Sequence, residues 1–211
     1  WYVGYLGTLP LAGMALVFPL VMLQQMLSAG SMGGGITSAI SRALGANDLE
    51  KANALVLHAA IIAVSIGVFF TLLFTVFGQA IFSAMGGQGE ALTECLAYAH
   101  IVFLGSISIW LTNAFAAVIR GSGNMRVPSK ILLFAAILQV LLSGLLGLGW
   151  GPVPRFGMAG IAAGVLIAFT ASAVYLFVYL RSEDSKLKLS LKTRLSRPLF
   201  VDILKVGAMS S

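Results

Sequence analysis

The chain alternates long apolar runs with short charged elbows. No Asp, Glu, Lys or Arg occurs in residues 1–41, and AISRALGANDLEKANAL (39–55) then places Arg42, Asp48, Glu50 and Lys51 close together. Further runs with little or no charge cover 52–89, 95–119, 131–154 and 156–180. An α-helix crosses the ~30 Å hydrocarbon core with about 20 residues, and every run reaches that length. Met85-Gly86-Gly87-Gln88-Gly89, Gly121-Ser122-Gly123-Asn124 and Gly151-Pro152-Val153-Pro154 read as the turns between them. The pattern predicts helices over 10–42, 52–78, 91–120, 128–149 and 157–181. Residues 1–7 read as the tail of a preceding helix, ended by a turn at Thr8-Leu9-Pro10. Ser196 with Pro198 reads as the start of a following one. Both ends read as cuts through helices. The first long helix exceeds what a bilayer needs, with Pro19 and Gly33-Gly34-Gly35 as the expected kink points. The fold class is therefore all-α: a polytopic helical membrane protein with about five complete transmembrane helices plus parts of two more.

Composition supports the same class. Charged residues make up 9% and hydrophobic ones 59%, with a mean hydropathy of +0.98. Soluble domains carry about a quarter charged residues, so the polar coat that water demands is missing. The charges also sort by side. Connections 42–51, 120–130 and 181–205 fall on one face of the membrane and hold all the Lys and Arg residues except Arg155. Short cytoplasmic loops collect such residues, so these three loops are expected in the cytoplasm of a multi-pass inner or plasma membrane protein. The net charge of +6 then reflects loops facing anionic membrane lipids and calls for no nucleic acid.

Residues 182–197, SEDSKLKLSLKTRLSR, form the longest polar stretch. Leu187, Leu191 and Leu195 recur at helical spacing among basic residues, which fits an amphipathic helix on the membrane surface. A solvated basic linker fits equally.

Chemistry-bearing residues are sparse. The single Cys95 and the distant His58 and His100 exclude an intrachain disulfide and a zinc or haem site, so no metal is expected. Both histidines read as structural. No GK[ST], HExxH or G-x-S-x-G occurs, and no catalytic residue is expected. The middle of the spans holds only neutral polar groups: Gln24, Gln25, Thr112, Asn113, Gln139 and Ser143. Such groups either bond a neighbouring helix or line a cavity for substrate or ion. Gln139 and Ser143, four residues apart, share a helix face. Gly160 and Gly164 form a GxxxG pair suited to close helix packing.

The loops carry a more specific signal. SRALGANDLEKA (41–52), through Arg42, Gly45, Ala46, Asp48, Glu50 and Ala52, resembles the loop after the second helix of the multidrug and toxic compound extrusion (MATE) transporters. IRGSGNMRVP (119–128) is similar to that family's RGxGxxxxP through Arg120, Gly121, Gly123 and Pro128. FGMAGIAAG (156–164) resembles the opening of its sixth helix, and Tyr98 fits a tyrosine of its fourth. The resemblance implies twelve helices in two six-helix lobes, this chain supplying the N-terminal lobe over 1–181. It further implies a basic interlobe linker over 182–197 and the start of the seventh helix over 198–211. The implied function is a secondary antiporter that exports small organic cations or amphipathic drugs in exchange for Na+ or H+. A lipid-linked saccharide flippase of the same superfamily, or a non-transporting membrane scaffold, is the alternative. Some members carry an Asn and an Asp where Gln139 and Ser143 stand. With no acid there, the coupling ion is expected to bind mostly outside residues 1–211, and no other cofactor is expected. Gln24, Gln25, Asn113, Gln139 and Ser143 are the candidate cavity residues, and the motif residues of the two loops are expected to hold the elbows' shape.

Overall fold

The computed structural model describes residues 1–150, 153–190 and 195–209. Its regular elements are all helical: α1 Tyr2–Leu6, α2 Thr8–Gln25, a π-helical turn Met26–Met32, α3 Gly33–Gly45, α4 Leu49–Ala84, α5 Gly89–Leu104, α6 Ser106–Gly121, α7 Arg126–Leu148, α8 Gly157–Arg181 and α9 Arg197–Met209. Thr8–Gly45 as one rod, α4, α7 and α8 are each long and apolar enough to cross a membrane. The pair α5–α6, bent by 47°, is long and apolar enough for a fifth span when the two helices are taken as one. The 36 residues of α4 extend about 54 Å at 1.5 Å per residue, more than a bilayer core requires.

Three local differences from the sequence pattern have physical causes. The first turn lies at Gly7, whose φ of 123° suits glycine. Pro10 therefore falls inside the first turn of α2, where its missing N–H costs nothing. Within the long rod, Pro19 sits in continuous helix and Gly33-Gly34-Gly35 are α-helical. The irregularity is instead the π-helical turn between them, which shifts the helix face after Gln25. The span over 91–120 is broken at Gly105, where α8 passes closely. A Cβ at Gly105 would stand 2.5 Å from Leu166 Cδ1.

Residues 182–190 are not helical, so over this part of the stretch the amphipathic helix does not form. Its buried residues alternate instead, Ser185, Leu187 and Leu189 turning inward between exposed Lys186 and Lys188. Period two marks an extended strap. The Lys188 amide donates to Asn53 Oδ1 at 2.8 Å, and the Leu189 amide to the Leu180 carbonyl at 3.1 Å. Residues 191–194 of this stretch lie outside the described residues.

Packing joins the spans in two ways. Aromatic rings fill the space between α4 and α5, with Phe74 stacked on Phe103 at 3.7 Å between centroids. Small residues bring α7 and α8 together: a Cβ at Gly164 would lie 2.5 Å from the Ser143 amide nitrogen, and one at Gly160 would run into the Leu146 carbonyl. Apolar side chains such as Leu133, Phe134, Ile137 and Leu141 point outward from α7, as a lipid-facing surface requires.

The basic connections do gather at one end of the bundle. Ser41 Oγ donates to the Gly121 carbonyl at 3.1 Å, and Lys51 pairs with Asp202 at 2.9 Å. Arg155 lies at the other end, donating to the Tyr5 carbonyl at 3.4 Å.

Candidate functional site

Where α2 runs into the π-helical turn, two amides and a hydroxyl face α6. Gln24 is buried, and its Oε1 accepts from Ser106 Oγ at 3.1 Å. Asn113 Nδ2 donates both to Gln25 Oε1 at 3.0 Å and to Ser28 Oγ at 2.8 Å. Ser28 Oγ lies 3.3 Å from the Gln25 carbonyl, to which it donates. The π-helical turn places Ser28 here, because the added residue rotates it toward α6.

The cluster is left with spare donors. Gln24 Nε2 and the indole Nε1 of Trp110, both buried, have no partner among the described residues. Trp110 follows Ser106 by one turn on α6 and lines an apolar cavity of about 300 Å³ with Leu27, Met32 and Phe70. Buried unpaired donors cost roughly 1–3 kcal/mol each, so a group carrying an acceptor gains by entering. Among the described residues no three His, Cys, Asp or Glu side chains converge on a metal position. The cluster offers neutral dipoles beside an aromatic cavity, which suits polar or amphipathic molecules and supplies no carboxylate.

Of the five candidate cavity residues, Gln24, Gln25 and Asn113 meet in this cluster. Ser143 instead lies between α7 and α8, where its hydroxyl donates to the Ile161 carbonyl at 3.0 Å. Gln139, one turn earlier, is half-buried and bonds to none of the cluster. Thr112 points toward α8 and donates to the Phe169 carbonyl at 3.0 Å. Ser28, Ser106 and Trp110 were not singled out from sequence. The spacing of Ser106, Trp110 and Asn113, four and then three, would have placed all three on one face.

The loop-motif residues make local contacts within and between the elbows. Asp48 Oδ1 caps α4 by accepting from the Lys51 amide at 2.8 Å. Arg42 donates to Ser38 Oγ and, at 3.5 Å, to the Asp202 carbonyl. Gly45 ends α3. Gly121 packs so tightly that a Cβ would stand 2.8 Å from Ile40 Cβ. Gly123 turns with φ 87°, Pro128 is buried in the first turns of α7, and Arg120 is half-buried beside Gly33.

The MatE family model matches residues 1–145. Among curated proteins, a probable multidrug resistance protein YoeA of Bacillus subtilis is 26% identical over 211 residues, 98% of this chain and 45% of that protein. An FAD transporter of Shewanella oneidensis is 25% identical over 169 residues, covering 80% of this chain and 37% of its own length. A probable multidrug resistance protein NorM of Thermotoga maritima is 26% identical over 166 residues, 78% of this chain and 35% of that protein. The inward-facing structure of a multidrug resistance MATE family transporter superposes with a TM-score of 0.92 at 28% identity, over 99% of this chain and 47% of that one. The chain thus spans less than half the length of these relatives.

Proposed function

Because the chain belongs to the MatE family, we propose that it forms the first lobe of a secondary antiporter exporting cationic or amphipathic organic compounds in exchange for Na+ or H+. It is a multi-pass membrane protein, and membership of a transporter family gives it no catalytic role. In this reading 1–181 is the lobe, 182–197 the interlobe linker and 198–211 the start of the next helix, which belongs to a second lobe. The connections 42–51, 120–130 and 181–205 face the cytoplasm.

The observation that carries the substrate class is the neutral interior around Gln24, Gln25, Ser28 and Asn113. The spare donors Gln24 Nε2 and Trp110 Nε1 take a hydrogen-bond acceptor of the substrate, while the rings of Trp110 and Phe70 take a cationic or apolar body. A large anionic headgroup would be better served by several cavity cations, and the spans carry none in their middle. No Asp or Glu joins the cluster, so the coupling ion binds mostly elsewhere in the full protein. The test is cationic dye efflux by the full-length protein in cells stripped of their own pumps, with the Na+ and H+ gradients collapsed separately. Efflux that stops with one gradient supports the reading. Absent efflux, or efflux indifferent to both, overturns it.

A further inference from the structure

At the end of the bundle where the basic connections gather, a second cavity of about 540 Å³ opens beside the α6–α7 elbow. That volume lies within the ~300–1,000 Å³ typical of small-molecule sites. Its walls come from segments far apart in sequence: Ser122, Asn124 and Arg126 from the elbow, Tyr179, Asp184 and Lys186 from the end of α8 and the strap. Neutral hydrogen bonds hold these walls together. Asn124 Nδ2 donates to Tyr179 Oη at 3.1 Å, and Tyr179 Oη donates to the Asp184 carbonyl at 3.3 Å. Asn124 Oδ1 accepts from the Arg126 and Val127 amides at 3.1 and 3.3 Å, which fixes the first turn of α7.

The cations of the cavity are not consumed in this scaffold. The described ion pair of the chain joins Lys51 to Asp202, and Arg181 is engaged over the Phe177 ring at 5.2 Å. Arg126 and Lys186 are exposed and face the cavity with one carboxylate, that of Asp184, leaving a surplus of positive charge. The cavity also adjoins an exposed face of α8. Tyr175 and Val178, on the same side of α8 as Tyr179, are 51% and 58% exposed, and Tyr at such a helix end marks the headgroup level.

We propose that this cavity binds a phosphate group, and that an anionic phospholipid headgroup is the source its position favours. The planar guanidinium of Arg126 can take two phosphate oxygens at once. Lys186 adds a second charge from the strap, so a bound phosphate ties the elbow to the strap across the end of the lobe. Basic pockets between helix ends on the membrane surface recognise such headgroups.

The full-length protein in nanodiscs of mixed phosphatidylglycerol and phosphatidylcholine provides the test, with retained lipid read by native mass spectrometry. Wild type should keep phosphatidylglycerol in preference to phosphatidylcholine. The Arg126→Gln/Lys186→Gln variant should lose that preference by roughly tenfold or more. Arg197→Gln/Lys205→Gln removes the same charge outside the cavity and should keep it. A parallel arm measures thermal protection by inorganic phosphate and glycerol phosphate in neutral detergent. Protection by these without lipid preference supports a phosphate site with a soluble source and overturns the lipid assignment. Equal behaviour of the two double variants, with no protection by free phosphate, overturns the site altogether.

Discussion

The backbone amide of Ser196 donates to Nε2 of His58 at 2.9 Å. That bond makes Nε2 an acceptor, so the ring hydrogen sits on Nδ1 and is given to the Ala54 carbonyl at 2.8 Å. The imidazole is fully buried, and Phe200 closes over it with 4.5 Å between ring centroids. One side chain near the start of α4 thereby fixes the residue that precedes α9.

His58→Ala should cost about 1–3 kcal/mol, because it leaves the Ser196 amide unpaired and opens a void under Phe200. Lys51→Ala should cost well under that. Its pair with Asp202 is about 40% exposed at both side chains, and such pairs contribute roughly 0–1 kcal/mol. Thermal unfolding of the two variants in one detergent ranks them. Equal melting temperatures would show that the start of α9 is not held by the imidazole.

Asn113 is the member of the amide cluster with two side-chain partners on the facing helix. Asn113→Ala should lower stability by about 0.6–2 kcal/mol, the range for interhelical polar bonds in membranes. It should also change the efflux of different substrates unequally, since Gln25 and Ser28 are freed to reorient. Efflux of a panel of dyes, normalised to the folded protein, checks this. A uniform change across the panel would assign Asn113 to packing alone.

Glycines divide sharply by surroundings. At Gly164 a Cβ already stands 2.5 Å from Ser143 backbone, so Gly164→Leu should prevent α7 and α8 from closing and abolish the folded protein. At Gly34 nothing lies within 4 Å of an added Cβ. Gly34→Ala should therefore stabilise by up to about 1 kcal/mol through helix propensity. Size-exclusion profiles and melting temperatures separate the two outcomes, and a well-folded Gly164→Leu variant would contradict the close packing.

Run lengths and charge placement made the spans and their shared basic end legible, because the bilayer imposes both on sequence directly. The π-helical turn was not legible. It follows from how Ser28 meets Asn113 on another helix, and Pro19 and the triple glycine drew attention to its flanks instead. The strap misled in a similar way: Leu187 fits a helical spacing with Leu191, yet its burial follows Leu189 at period two because Asn53 captures the Lys188 amide. Half of the amide cluster was visible, since Gln24, Gln25 and Asn113 are conspicuous in apolar surroundings. Ser106 and Ser28 are small enough to pass as helix-packing residues, and only their partners give them a role.

Gln139 and Ser143 share a helix face in sequence, yet they should behave differently. Ser143 is 4% exposed, and its hydroxyl is committed to Ile161 on α8. Ser143→Ala removes one interhelical bond, worth about 0.6 kcal/mol on average, and should lower efflux of all substrates by a common factor that follows folded yield. Gln139 is half-buried with no bond to the amide cluster, so Gln139→Ala should leave the melting temperature unchanged. If its side chain meets substrate in the assembled protein, the same variant shifts the ratio of two substrates' efflux severalfold while ion coupling persists. Measuring melting temperature and the efflux ratio for each single variant decides the assignment. A destabilised Gln139→Ala with an unchanged ratio would place Gln139 in packing and leave the amide cluster as the only polar candidate among the described residues.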